Sequence, residues 1–323
     1  MYYNCNRAEK NCVQVGHFCQ GEKVVPKCSK CGKWGIFLTL NNEGLCTTCA
    51  EIVRQEAIEE RNRLEKERME KQRIEQQAQE EALLHRLQEK ETAYREMVSK
   101  IRPVAISISS DLAPIILSKD QTPVTYSSIT KKTPRDRLGN FVVVDVETTG
   151  LRPSSCEIID IAAIKFRNFE PVEKFCTLLS PKKSIPEETI KIHHITDEMV
   201  AGQPRFQQIA QSLLMFIGED NIVGHNLPFD LSFIIRYGAD VTKKERKYYD
   251  TLQIAQKTVK KQKYKWDKDI YGYVVNDNCL GVDNYKLGTL CQWYGIMNPA
   301  SHRAEGDALA TGLLFKKLSD DRM

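Results

Sequence analysis

Short apolar, β-branched runs and longer amphipathic stretches divide the chain into regions of different character. Phe141 to Val146 (FVVVDV) reads as a central strand, with Asp145 and Glu147 at i and i+2 on one face. Glu157 to Phe166 and Lys174 to Leu179 come closely enough after it to predict an antiparallel meander, and Asn221 to Gly224 is a short run that would add a parallel strand. Pro228 suits the first turn of a helix in which Asp230, Phe233 and Ile234 lie near one another. From Arg303 to Leu318, apolar residues recur at helical spacing, which puts Asp307 in the first turns and His302 at the helix mouth.

Upstream the pattern changes. Glu51 to about Ile101 lacks Gly and Pro and carries opposite charges at i,i+4, such as Glu59 with Arg63 and Glu67 with Lys71. A long helix is predicted. Val53, Ala57, Leu64, Ile74 and Ala78 mark a seam, but Glu60, Glu67, Lys71 and Glu81 interrupt it. The expectation is a solvated spacer that self-associates weakly, short of a tight coiled coil. Pro103 ends it, and 102–139, with Pro114, Pro123 and Pro134 among Ser, Thr and Lys, reads as a linker with some extended pairing.

Composition refines this division. At 323 residues the chain holds one catalytic domain and a smaller module, too little for a polymerase as well, so any proofreading would act in trans. No apolar run approaches ~18 residues and no signal-peptide pattern opens the chain, which predicts a soluble, cytoplasmic protein without a membrane partner. Seven of the eleven cysteines lie in the first 49 residues. Cys28-x2-Cys31 and Cys46-x2-Cys49 have zinc-ribbon spacing, and Gly32 and Gly44 stand where tight turns bring sulfurs together. A structural Zn2+ is expected there; Cys5, Cys12, His17 and Cys19 are a weaker, irregular second set. The net charge of +4 hides a basic stretch, Thr242 to Asp269, with ten Lys/Arg against four Asp/Glu. Tyr248, Tyr249, Tyr264 and Trp266 interleave it, a mixture that suits a nucleic-acid backbone with stacked bases, or else a solvated basic loop.

Asp145, Glu147, Asp230 and Asp307 with His302 form the set that two-metal phosphodiester hydrolysis requires. Clustered anionic oxygens hold two divalent cations ~3.5–4 Å apart while a base activates water. The contexts carry more weight than any single residue: DVETTGL at 145–151, IHHIT at 192–196, GHNLPFD at 224–230, DTL at 250–252, LGTLCQWYGI at 287–296 and H-x4-D at 302–307.

In these motifs the sequence resembles the DEDDh exonucleases, the family of the replicase's proofreading epsilon subunit and of ribonuclease T, over about residues 139 to 320. The resemblance implies a ribonuclease H-like α/β fold, a mixed sheet flanked by helices, occupying 140–320 after a Cys-rich module (1–50), a helix (51–101) and a linker (102–139). It implies that Asp145, Glu147 and Asp307 hold one Mg2+ or Mn2+, with Asp145 bridging to a second near Asp230, and that His302 is the general base. Thr148, Thr149 and Leu151 would cradle a 3′-terminal nucleotide, Asn226 would orient substrate, and His225 would either assist it or brace the fold. The implied activity is 3′-to-5′ exonucleolysis of DNA, with RNA, or a binding module without chemistry, as alternatives. The N-terminal arm would engage nucleic acid or a polymerase or other replication or repair protein. Two departures stand out: His194 after His193, and a segment from Lys257 to Asn284 longer than a minimal member needs.

Overall fold

The computed structural model describes residues 25–35, 38–114, 124–242, 245–276 and 280–321, in two compact units, Met1–Leu87 and Gln88–Met323. The weaker set of Cys5, Cys12, His17 and Cys19 lies outside the described residues.

In the first unit, Cys28, Cys46 and Cys49 are buried with Leu45 in a miniature core. Gly32 and Gly44, each at φ 73°, form the left-handed turns that bring the two Cys pairs together. Helix α1 spans Thr47–Lys100, so it begins within the Cys-rich module and includes Cys49 in its first turn. Leu64, Met69 and Ile74 are all exposed, and Arg63 pairs with Glu60 at 2.6 Å instead of the expected Glu59. Such exposed pairs add only a few tenths of a kcal/mol each. Among the described residues no helix is long and apolar enough to cross a membrane.

The second unit is built on a six-stranded sheet ordered β1-β4-β3-β2-β5-β6. Strands β2 (Phe141–Thr148), β3 (Ile158–Arg167) and β4 (Glu170–Leu178) form the antiparallel meander, while β5 (Asn221–Gly224) and β6 (Tyr248–Asp250) extend it in parallel with β2. The short helices α2 (Glu187–His193) and α3 (Asp197–Val200) connect the meander to α4 (Phe206–Ile217).

Alternation along β2 creates two cores. Val142, Val144 and Val146 face a cluster shared with α4 and α5 (Leu227–Arg236). Phe141 and Val143 face the opposite cluster, with α6 (Thr251–Thr258), α7 (Leu287–Tyr294) and α8 (Ala304–Asp320). Phe141 stacks on Phe166 at 4.8 Å and meets Phe315 edge-on at 4.9 Å, anchoring α8 to the sheet. Truncating Phe315 to Ala would cost about 3–5 kcal/mol.

The described part of 102–139 shows the extended pairing expected of it: β1 (Arg102–Pro103) pairs in parallel with β4 at one sheet edge, and Ser127 N donates to Tyr248 O at 2.7 Å at the other. Ile101, Ile129 and Leu138 are buried in the second core, so apolar burial holds the strap in place. Tyr248 and Tyr249, read as stacking partners for bases, are each 3% exposed, because β6 is covered on both faces. The long segment after Lys257 forms instead a separate hairpin of β7 (Tyr264–Asp267) and β8 (Gly272–Val275).

Candidate active site

The alternation that sends Val144 and Val146 to one core sends Asp145 and Glu147 to the face covered by α8. Asp307 lies in the first turn of that helix, and the oxygens of Asp145, Glu147 and Asp307 converge to within 4.8 Å of one another. Asp230 reaches the same strand end from α5, on the other face. Strand β5 pairs with β2 only from Phe141 to Val143, leaving the amide of Val146 free, and Asp230 Oδ1 accepts it at 3.1 Å. Asp230 therefore stands beside the three-carboxylate cluster but outside its 4.8 Å limit.

This grouping opposes ionisation. Burial, and then the charges of Asp230 and Asp307, push the Asp145 carboxyl well above the usual range. Burial with Asp307 and Asp160 pushes Glu147 up to about 8, while Arg303 opposes the rise. Burial also raises Asp230 and Asp307. Such groups hold protons or bind cations, and an all-oxygen donor set fits hard divalent ions.

Hydrogen bonds fix the helix mouth. Asp307 Oδ1 accepts Asn298 Nδ2 at 2.6 Å, and Oδ2 accepts the backbone amide of His302 at 3.0 Å. His302 adopts φ 63°, a left-handed conformation that costs a non-glycine residue about 1–3 kcal/mol. It is exposed, and a positive charge on its ring would favour ionisation of Asp307. A Cβ on Gly306 would stand 2.4 Å from Ala300 O, so only glycine lets the loop carrying His302 approach α8 this closely.

Three residues the sequence did not single out complete the arrangement. Asp160, 5% exposed, lies opposite Glu147 in the β2–β3 register, and its Oδ2 accepts Arg303 Nε at 2.9 Å. Asn298 is the third, holding Asp307 through its side-chain amide. A lone charge in the apolar run IIDIAAI signals Asp160, and Arg303 adjoins His302. Nothing in the spacing of Asn298 marks it.

The expected substrate residues divide by role. Thr148 Oγ1 donates to Gly150 O at 2.7 Å, and Thr149 Oγ1 accepts Glu157 N at 3.0 Å, so both hydroxyls brace the turn after β2. Leu151 beyond them is 83% exposed. Asn226 is exposed at φ 62°, its amide donating to Asp250 Oδ1 at 2.9 Å. His225 Nδ1 lies 2.9 Å from Thr251 Oγ1, which donates to Gly224 O at 3.1 Å. That bonding makes His225 a brace between β5 and α6.

In the first unit, the sulfurs of Cys28, Cys31, Cys46 and Cys49 also lie within 4.8 Å of one another, with Cys31 and Cys46 at 3.9 Å. Tetrahedral Zn–S bonds of ~2.3 Å place sulfurs about 3.8 Å apart. Backbone amides of Cys31 and Cys46 hold the Cys28 thiol down to about 6, favouring the thiolate that a metal needs.

The exonuclease (RNase_T) family description matches residues 142–315, leaving the four-Cys module and all of α1 outside it. The DNA polymerase III epsilon subunit of Aquifex aeolicus is 31% identical over 191 residues, covering 58% of this chain and 85% of that protein. The PolC-type DNA polymerase III of Oceanobacillus iheyensis is 31% identical over 204 residues, 62% of this chain but 13% of that longer protein. Among solved structures, E. coli exonuclease I in complex with a dT13 oligonucleotide aligns with a TM-score of 0.44 and 20% identity, over 56% of this chain and 41% of that one.

Proposed function

The chain belongs to the exonuclease (RNase_T) family, which makes it a metal-dependent 3′-to-5′ exonuclease of the DEDDh type, and from that premise we propose how its own residues act. The substrate is the 3′ end of single-stranded or frayed DNA, and the products are nucleoside monophosphates. The convergence of Asp145, Glu147 and Asp307 within 4.8 Å, with carboxyl groups that resist ionisation unless a cation joins them, carries the assignment.

Asp145, Glu147 and Asp307 would hold Mg2+ or Mn2+, with Asp230 beside them as a further carboxylate for a second ion. Two such ions, when bound, polarise the phosphodiester and lower the pKa of the attacking water. His302 takes the proton of that water at its imidazole, from a loop whose position Asp307 fixes through the His302 amide. Arg303, paired with Asp160, keeps that loop against β3 and offsets negative charge near Glu147. Leu151 packs against the terminal base and Asn226 orients the strand, on a turn held by Thr148 and Thr149.

The four thiols hold a structural Zn2+ in a reducing, cytoplasmic compartment. The ribbon and α1 form an arm that recruits a replication or repair protein, and the names of the polymerase relatives support that role in proofreading.

A 5′-labelled single-stranded oligonucleotide, offered as DNA and as RNA with and without Mg2+, tests the reading. A ladder descending from the 3′ end on DNA is expected with Mg2+ only, and a 3′-phosphate should block it. Preferred degradation of RNA would replace the substrate class, and cutting of circular DNA would refute the exonucleolytic mode.

A further inference from the structure

The hairpin β7–β8 presents a sheet face that nothing among the described residues covers. Its register pairs Tyr264 with Val275 and Trp266 with Tyr273, so period-two alternation puts these four side chains on one face. Tyr264 is 50% exposed, Trp266 52%, Tyr273 73% and Val275 42%. Trp266 and Tyr273 meet edge to face at 5.1 Å, which fixes both rings while leaving ring surface open. A two-stranded ribbon with an apolar face in water is marginal by itself, and a patch of this kind marks a binding surface.

The surrounding charge identifies the occupant. Between Lys257 and Val275 there are six lysines and two aspartates, and all six lysines are exposed. None of the six makes an ion pair among the described residues. Exposed rings amid unpaired lysines suit a polyanion that also offers flat apolar faces, as single-stranded nucleic acid does. An acidic protein would neutralise the lysines but would leave the purpose of three rings unexplained.

The root of the hairpin places it on the catalytic rim. Gln262 N donates to Val282 O and Val282 N to Lys260 O, both at 2.9 Å, and the Tyr264 phenol bonds Asp283. The next residues lead to Tyr285, whose hydroxyl donates to Val259 O at 3.0 Å and whose backbone contacts the His225 ring. His225 adjoins Asn226 at the C-terminal end of β5, and the parallel β2 presents Asp145 and Glu147 at that same end.

We propose that the Tyr264–Trp266–Tyr273 face is a second grip on single-stranded DNA, stacking bases of the trailing strand while the terminal nucleotide occupies the carboxylate site. This rests on the exonuclease reading. It assigns the gripping role to the hairpin alone, since Tyr248 and Tyr249 are core residues. The grip makes affinity depend on length: strands too short to reach the hairpin bind through the terminal site only.

Fluorescence tests it in the 323-residue chain with Asp145→Asn, so the strand is not shortened, and with Trp34→Phe and Trp293→Phe, leaving Trp266 as the sole tryptophan. Titration with oligo-dT from 3 to 15 nucleotides should quench Trp266 above a threshold length and not below it. Read instead by the anisotropy of fluorescein-labelled oligo-dT in the Asp145→Asn background, Trp266→Ala with Tyr273→Ala should raise the Kd of the longer strands about tenfold or more and abolish the length dependence, the scale of losing one or two stacked bases. Trp266→Phe, which keeps an aromatic ring and the fold, should retain most of the affinity. Absence of quenching at every length, or equal length dependence of the Kd with and without the two Ala substitutions in the Asp145→Asn background, overturns the grip. Wild-type hydrolysis of the same strands, measured in parallel, reports separately on the exonuclease reading.

Discussion

Arg303 Nε donates to Asp160 Oδ2 at 2.9 Å, joining the start of α8 to a buried carboxylate that lies opposite Glu147 in the sheet. The pair acts on both position and charge. It ties the N-terminus of α8, next to His302, to β3, and its guanidinium opposes the upward push on the Glu147 carboxyl. Removing Arg303 would leave Asp160, whose side chain is 7% exposed, without its partner. Arg303→Ala is therefore expected to cost a few kcal/mol in denaturant unfolding and to raise the Mg2+ concentration that gives half-maximal rate. Stability and Mg2+ dependence both equal to wild type would show that the pair is incidental.

The carboxylate cluster ties stability to pH and to metal. Glu147 has an ordinary value near 4.5 and is pushed up to about 8 in the fold, so between these values the native state binds more protons than the unfolded chain. The contribution of Glu147 to stability is then fully present below about 4.5 and is lost as pH rises towards 8. Metal-free protein should show a Tm that falls over this window, and Mg2+ should raise Tm more at pH 8 than at pH 5. A metal-free Tm that climbs from pH 5 to 8 would contradict the clustering.

His302→Ala should slow turnover by roughly 10²- to 10⁴-fold, the range for loss of a general base, with Mg2+ binding retained. Calorimetric Mg2+ titration beside a single-turnover assay separates these effects. An unchanged rate between pH 6 and 9 would assign the proton to another group.

The strap predicts where the chain can be cut. A fragment beginning at Gln88 keeps Ile101, β1 and Ile129, whereas one beginning at Asp136 loses the pairing at both sheet edges. The first should hydrolyse short oligonucleotides and unfold cooperatively; the second should melt lower or aggregate. Equal melting temperatures would mean that the strap contributes little.

Much of this was legible because periodicity and chemistry coincide where the site lies. In FVVVDVE, the alternation that marks a strand also puts Asp145 and Glu147 on one face, and the helical spacing after Arg303 brings Asp307 towards them. Asp160 became meaningful only through its cross-strand register with Glu147, which depends on how two strands pair and not on either strand alone. Some pairing was expected of the strap, but its burial was hidden, because its hold is a two-residue strand, a few backbone bonds and isolated isoleucines, too short for any period to emerge. Tyr248 and Tyr249 misled for the opposite reason. Their strand is three residues long and buried on both faces, so no alternation separates it from the lysine-rich sequence around it.

The most direct test of the central claim, that these carboxylates form the metal centre of a 3′ exonuclease, compares wild type with Asp145→Asn on 5′-labelled single-stranded DNA across a Mg2+ series. Asp145→Asn preserves shape but removes the charge of a carboxylate that would hold the metal. The expected result is a Mg2+-dependent ladder from the 3′ end for wild type, and for the variant a rate lower by at least about 10³-fold with Tm unchanged or raised. A variant that still degrades the strand at the wild-type rate would contradict the claim.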